Sequence, residues 1–74
     1  MSQSKIKKAT IAIREMAKEQ SWEHFEIKAT EDGSGFKITQ GQALLGLAFY
    51  SLPKRDSITL KSLQGHFLAS ASIA

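Results

Sequence analysis

With 74 residues and no cysteine, the chain is predicted to form one small domain, residues 1–74, without disulfide support, which favours a reducing, cytoplasmic compartment. Hydrophobic residues make up 42% of the sequence, enough for a core. The longest apolar run, residues 43–50, is far short of the ~20 residues that span a bilayer, so no membrane partner is expected. The formal net charge of +3 is too small for long-range electrostatic attraction to dominate binding, but it is compatible with a local basic surface.

The first predicted element is an amphipathic helix over residues 4–20. Its hydrophobic residues recur with the 3.6-residue period of a helix that packs on a core, and they are Ile6, Ala9, Ala12, Ile13, Met16 and Ala17. Ser4 is the predicted N-cap, because its hydroxyl can accept a hydrogen bond from a free amide of the first turn. A second face of the helix is basic and carries Lys7, Arg14 and Lys18.

Residues 24–39 are predicted to form a β-hairpin. Hydrophobic and polar residues alternate on both sides of a turn, as in strands with one buried face. The residues predicted on the buried face are Phe25, Ile27, Ala29, Phe36 and Ile38. The segment between the strands, residues 31–35, reads Glu-Asp-Gly-Ser-Gly and is typical of a turn, since glycine adopts positive φ easily.

Residues 42–52 are compatible with a strand or a helix, and we favour the strand. Leucine and alanine favour a helix, and Thr39 with Gln42 fits a capping box. On a helical wheel, however, the hydrophobic residues point in all directions, and a small domain cannot bury them all. An extended segment divides them between two faces, with Leu45, Leu47 and Phe49 on one and Leu44, Ala48 and Tyr50 on the other.

The last segment, residues 57–73, is predicted to form a second helix. Pro53 ends the preceding element, and a hydrophobic stripe at helical spacing follows, made of Leu60, Leu63, Phe67 and Ala71. Gly65 weakens such a helix by about 1 kcal/mol relative to alanine. The alternative is a hairpin that pairs residues 57–63 with residues 66–73 across Gln64 and Gly65.

Together these elements predict an α+β domain with the order α-β-β-β-α. Two amphipathic helices would lie on one face of a three-stranded antiparallel sheet and bury its hydrophobic side. If residues 42–52 are helical instead, the order becomes α-β-β-α-α.

Two stretches resemble the double-stranded-RNA-binding-domain fold, and the small HicA-type toxins within it. They are residues 17–22, a first helix that ends in tryptophan, and residues 52–63, which are similar to the basic loop and last helix of that family. The resemblance implies that fold and nucleic-acid binding. It does not imply RNA cleavage, because residues 33–36 lack the histidine that follows a glycine in the toxins, and only Lys61 stands for the lysine cluster of the RNA-binding domains.

Catalysis, cofactor binding and metal binding have no clear signature. The two histidines are His24, beside Glu23 and Glu26 on the predicted wet face of a strand, and His66, four residues after Ser62. Neither provides the convergent ligands of a metal site or the positioned base of a nucleophile. The chemistry therefore favours a non-enzymatic protein without a cofactor, with a toxin-type ribonuclease that uses a histidine as a weaker alternative.

The basic residues are the main indication of function. The first 14 residues carry four basic and no acidic residues, and six of the seven acidic residues fall between 15 and 32. We predict a nucleic-acid-binding surface, for RNA more than DNA, that contacts phosphates through Lys7, Arg14, Lys18, Lys54, Arg55 and Lys61. The free amides at the start of the second predicted helix would add to it.

The rival prediction is a protein-interaction module. Residues 42–52 carry hydrophobic side chains on both predicted faces, and a single short chain has little material to cover both. An inhibitor, an antitoxin-like partner or a homodimer that covers this segment would fit the pattern equally.

Overall fold

The computed structural model describes residues 3–73, with the side chains of residues 5–73. These residues form one helix and five strands. In chain order they are α1 (Gln3–Glu19), β1 (Glu26–Ala29), β2 (Gly35–Gln40), β3 (Ala43–Tyr50), β4 (Ser57–Lys61) and β5 (Phe67–Ser72). The side chain of the predicted N-cap, Ser4, lies outside the described part of the chain.

Helix α1 confirms the prediction from hydrophobic periodicity. Ala9, Ile13 and Ala17 are fully buried along one stripe of the helix, as the 3.6-residue period requires. The helix ends because Ser21 adopts a left-handed conformation, with φ of 66°, and the amide of Trp22 donates to the carbonyl of Ala17 at 3.1 Å.

The five strands form one antiparallel meander in which every strand pairs with its neighbours along the chain, in the order β1-β2-β3-β4-β5. The predicted hairpin is confirmed, since Ile27 lies opposite Ile38 and Ala29 opposite Phe36. Residues 43–50 are extended, so the strand favoured for this segment is confirmed and the helical alternative is wrong.

The predicted three-stranded sheet with two helices is wrong. Residues 57–73 form the β4–β5 hairpin rather than a helix, so neither α-β-β-β-α nor α-β-β-α-α describes the chain. Gly65 has φ of 87°, and the amide of Ser62 donates to the carbonyl of His66 at 2.9 Å across the turn. A helix would have required Gly65 at negative φ and would have lost this closure. The hairpin weighed as the alternative for this segment is the observed structure.

The core lies between α1 and one face of the sheet, which we call the inner face. Helix α1 contacts β4, β5 and β1, so it reaches both edges of the meander. The fully buried sheet residues are Ile38, Ala48, Ile58 and Leu60. Burial of each large aliphatic side chain contributes about 1.5–3 kcal/mol.

Two glycines allow close packing where no side chain fits. A Cβ atom on Gly35 would lie 2.0 Å from the carbonyl oxygen of Ala48 on the paired strand. A Cβ atom on Gly46 would lie 2.7 Å from the Trp22 ring. Trp22 therefore packs against β3 over Gly46 and ties the end of α1 to the sheet.

Replacement of Gly35 by alanine is expected to force β2 and β3 apart and to lower the free energy of unfolding by about 2–3 kcal/mol, as for overpacked cores. Gly41→Ala is the matched control. A Cβ at Gly41 meets nothing within 4 Å but has to adopt φ of 62°, which costs about 1–2 kcal/mol. Urea denaturation of the two variants measures the difference, and a smaller loss for Gly35→Ala than for Gly41→Ala would contradict the prediction.

Candidate nucleic-acid interface

The face of the sheet opposite α1, which we call the outer face, is not covered by any element in residues 3–73. Alternation along the strands decides which side chains lie on it. In β2 and β4, buried residues alternate with half-buried or exposed ones, so Lys37, Thr59 and Lys61 point away from the helix.

The strand register aligns three lysines across this face. Lys28 of β1 lies opposite Lys37 of β2, Lys37 lies opposite Leu47 of β3, and Leu47 lies opposite Lys61 of β4. Directly opposed residues share a face of the sheet. We call the three lysines, with Leu47 between them, the lysine row.

Aromatic side chains border the lysine row. Phe67 lies opposite Lys61 at the end of the row and is 66% exposed. Phe49 follows Leu47 by two residues, on the same face, and lies opposite Thr59. Aromatic rings beside lysines on an open sheet face can stack on bases while the lysines contact phosphates.

The charge of this face is positive except at its first strand. Strands β2 to β5 contain no acidic residue, and their charged residues are Lys37 and Lys61. On β1, Nζ of Lys28 lies 3.8 Å from Oε1 of Glu26, and both side chains are 68% exposed. An exposed pair of this kind is weak and screened by salt, so Lys28 stays available to a phosphate.

An acidic turn lies at the end of β1 and β2, beside Lys37. The Asp32 carboxylate accepts hydrogen bonds from the Ser34 amide at 3.0 Å and from the hydroxyl groups of Thr30 and Ser34 at 2.8 Å. These bonds, that from the Ser34 amide first, lower the pKa of Asp32 to about 2, because they favour the ionised form. The β1–β2 turn therefore carries a permanent negative charge that repels a phosphate backbone from this end of the sheet.

The residues predicted from sequence to bind phosphates lie in three separate places. Lys7, Arg14 and Lys18 are exposed on α1, Lys54 and Arg55 are exposed in the β3–β4 loop, and Lys61 is on the outer face. Since α1 covers the inner face, the sheet separates its basic residues from Lys61. The contribution expected from the start of a second helix is wrong, because residues 57–61 are a strand.

Arg55 has a contact of its own. Its guanidinium carbon lies 5.5 Å from the centroid of the Tyr50 ring, a cation–π distance. The Tyr50 ring also packs on Phe36, with ring centroids 5.6 Å apart. Burial raises the pKa of Tyr50, and the nearby Arg55 charge opposes that effect. Arg55 thus caps the edge of the core rather than joining the outer face.

Lys28, Lys37 and Phe49 were missed as candidates by sequence reasoning. Lys28 and Lys37 occupied the polar positions of the predicted hairpin, which was a usable signal. Their alignment with Lys61 was not accessible, because it depends on the register of β3 against β4.

The hydrophobic surface predicted on residues 42–52 is covered only in part. Ala48 and Gly46 are buried on the inner face, the latter beneath Trp22, as expected for a tryptophan that joins the first helix to the sheet. On the outer face Leu47 and Phe49 are half-buried. Leu44 and Leu52, however, are exposed, at 37% and 77%, so the segment keeps exposed apolar side chains and the protein-interaction module stays a prediction.

The two histidines lie in different loops, His24 between α1 and β1 and His66 between β4 and β5, and they do not form one site. His24 is exposed with φ of 54°, in a shallow groove with Lys18 and Trp22. The backbone amide of His66 donates to the hydroxyl of Ser62 at 3.1 Å, which closes the β4–β5 turn. Within residues 3–73, no three His, Asp or Glu side chains come together as metal ligands would.

Comparison with protein-family models, with curated proteins and with solved structures finds no match to this chain. The resemblance to double-stranded-RNA-binding domains and HicA-type toxins stays a prediction. Over the described residues, no helix combines the length and the apolar character that crossing a membrane requires.

Asp32→Asn is expected to weaken the dependence of stability on acid pH. The pKa of Asp32 is about 2 in the folded chain against an ordinary value of 3.8, so the unfolded chain takes up the proton first as pH falls. The contribution of Asp32 to stability is therefore complete above pH 3.8 and is lost as the pH falls through about 2. Urea midpoints measured between about pH 5 and pH 2 should fall further in the wild type than in Asp32→Asn.

Glu31→Gln is the matched control, because it removes the neighbouring carboxylate from the same turn. It should leave the hydrogen bonds to Asp32 in place, together with the loss of stability at acid pH that they cause. Equal pH dependence in the wild type and in Asp32→Asn would contradict the role given to Asp32.

Proposed function

We propose that this chain binds single-stranded nucleic acid, RNA in preference to DNA, on the outer face and without catalysis. The observation that carries the proposal is the lysine row, in which three strands present one lysine each in register around Leu47. Phosphate contacts through lysine supply most of the affinity of sequence-independent binding.

The length of the lysine row suits a flexible single strand of nucleic acid. Lys28 and Lys61 are separated by three strand spacings, or about 14 Å, enough to contact more than one phosphate. The acidic β1–β2 turn lies at the end of β1 and β2, beside Lys37, so the nucleic-acid backbone would follow the lysine row across β2, β3 and β4 toward β5 rather than pass over the turn.

Base stacking would add to the phosphate contacts. Phe67 is the most exposed aromatic side chain beside the lysine row, and Phe49 follows Leu47 by two residues on β3. Stacking of an unpaired base on an aromatic ring contributes about 1–3 kcal/mol. A duplex keeps its bases inside the helix and cannot use these rings, so the proposal is for single strands.

The preference for RNA rests on hydroxyl groups beside the lysines. Thr59 lies opposite Ser70, on the outer face and next to Phe49. Serine and threonine hydroxyl groups both donate and accept hydrogen bonds and can bind the 2′-hydroxyl that distinguishes RNA from DNA.

Removal of one outer-face lysine is expected to lower the salt dependence of binding. For single strands, each phosphate contact contributes about 0.7 to the slope of log K against log salt. Lys37→Gln and Lys61→Gln should each reduce the slope by about 0.7. A titration of a fluorescent oligouridine of ~12 nucleotides, followed by anisotropy at several salt concentrations, measures it.

Lys7→Gln and Lys54→Gln are the matched controls, since they remove the same charge from the helix and from the β3–β4 loop. Both should keep the wild-type slope. If these controls lower the slope and the outer-face variants do not, the phosphate contacts lie on the residues first predicted from sequence. Absence of binding at ~50 mM salt would end the proposal altogether.

Phe67→Ala tests stacking independently of charge. Its affinity for the same oligonucleotide should fall by roughly tenfold, or about 1.4 kcal/mol, with the salt slope unchanged. Leu63→Ala is the control, because Leu63 is also exposed, at 52%, but lies in the β4–β5 turn and has no ring to stack. Equal affinities of the two variants would contradict stacking on Phe67.

A further inference from the structure

The outward edge of β5 has free backbone hydrogen-bonding groups. The amide of Ile73 donates to the carbonyl of Asp56 at 2.9 Å, so the bonds between β4 and β5 fall on Ala71 and Ala69, at alternate positions of the antiparallel ladder. The amides and carbonyls of Ser70 and Ser72 therefore point away from β4. Within residues 3–73, β5 pairs with β4 alone, no turn or loop bond reaches these groups, and both residues are exposed.

This edge lacks the features that usually prevent edge-to-edge pairing. Strand β5 has six residues, Phe-Leu-Ala-Ser-Ala-Ser, without a charge or a proline. The opposite edge of the sheet, β1, has four residues and carries Glu26 and Lys28. Short, charged edge strands resist pairing, whereas a neutral, longer edge is a template for another strand.

Helix α1 presents a complementary flank beside the same edge. Lys8, Ile11, Ala12 and Glu15 line a shallow groove together with the end of β5. They are spaced three and four residues apart and so form one stripe of the helix. Ile11 is 49% exposed, and a positive and a negative side chain stand at the two ends of the stripe.

A two-fold axis at Ala71 would pair the free edge of β5 with the same edge of a second copy and bring the flanks of the two α1 helices together. In an antiparallel pair of β5 strands, Ser70 of one copy would lie opposite Ser72 of the other, and each pair would exchange two backbone hydrogen bonds. Ala71 would face its own copy at the axis, where strands come closest and a small side chain is required. The neutral edge meets itself without charge repulsion.

The helices would then meet in the orientation that pairs their charges. The axis lies half a strand spacing, about 2.4 Å, beyond β5. Since the stripe of α1 lines a groove with residues 71–73 at the end of β5, the axis would bring the stripes of the two copies to face each other. They run antiparallel across the axis, so Lys8 would face Glu15 of the second copy, and Ile11 would face Ala12.

We infer that this chain forms a two-fold homodimer through the free edge of β5, supported by the Lys8–Glu15 stripe of α1. The occupant of the edge is a second copy of the chain, because a stripe with lysine at one end and glutamate at the other complements itself when reversed. The lysine row lies on the opposite face of the sheet, so the dimer does not depend on the proposed nucleic-acid binding.

Amide hydrogen exchange measured against protein concentration, without nucleic acid, tests the edge directly. The amides of Ser70 and Ser72 should become protected as concentration rises from about 10 µM to about 1 mM. Those of Ala69 and Ala71 bond to β4 and should be protected throughout, which makes them internal controls. Fast exchange of Ser70 and Ser72 at the highest concentration would overturn the inference.

Ser70→Pro tests the pairing by sedimentation velocity. Proline removes an amide that has no partner within the described chain, and edge strands tolerate it. The variant should keep the helix and sheet signals in circular dichroism and sediment as a monomer. A Ser70→Pro variant that dimerises like the wild type would overturn the inference.

Charge reversal tests the helix contact and its orientation. Lys8→Glu and Glu15→Lys should each weaken dimerisation by roughly tenfold, since two opposed pairs become repulsive. The double variant Lys8→Glu with Glu15→Lys should restore the wild-type affinity. Lys8 and Glu15 are separated by about 10 Å along one helix, which is too far for them to pair within a monomer. A double variant that dimerises as weakly as the single variants would therefore overturn the antiparallel arrangement.

Discussion

One helix has to cover the inner face of a five-stranded sheet, and most features of this molecule follow from that constraint. A 17-residue helix is about 25 Å long and too narrow to shield five flat strands. Helix α1 nevertheless contacts both edge strands, β1 and β5. Its packing buries Ile38, Ile58 and Leu60 and leaves the opposite face without cover.

The same constraint decides where charge can lie. Positions that face the helix have to be apolar, and the ionisable residues of the strands are confined to the outer positions. Lys37 and Lys61 lie there because β2 and β4 each have one buried and one open side. The lysine row is thus a consequence of alternation and register, while its use as a phosphate-binding surface is our proposal.

Periodicity was sufficient to predict α1 and the first hairpin, because each has an uninterrupted pattern, whereas the strand at residues 43–50 was favoured only because its hydrophobic residues point in all directions on a helical wheel. Periodicity failed at residues 57–73. There the register shifts between Leu60 and Lys61, so the two-residue alternation is broken in the middle of the hairpin. Leu60, Leu63 and Phe67 then imitate a helical stripe, although Leu63 and Phe67 are exposed in the structure.

The candidate site was less accessible to prediction than the fold. Lys61 was identified from its neighbourhood in sequence, but its alignment with Lys37 runs through β3, and the pairing of β2 with β3 includes a second register shift, between Ile38 and Thr39. Such shifts depend on packing in three dimensions, such as the Trp22 ring over Gly46. The basic residues of α1 were correctly expected to be exposed, but the sheet lies between them and Lys61.

The meander has a consequence for the order of folding. Each strand pairs with its chain neighbour, so the sheet can assemble through short loops at low entropic cost. Helix α1 docks on β4 and β5, which come about 40 residues or more after its end in the chain. During synthesis, its hydrophobic stripe therefore stays exposed to water or bound to a chaperone until β4 and β5 have left the ribosome.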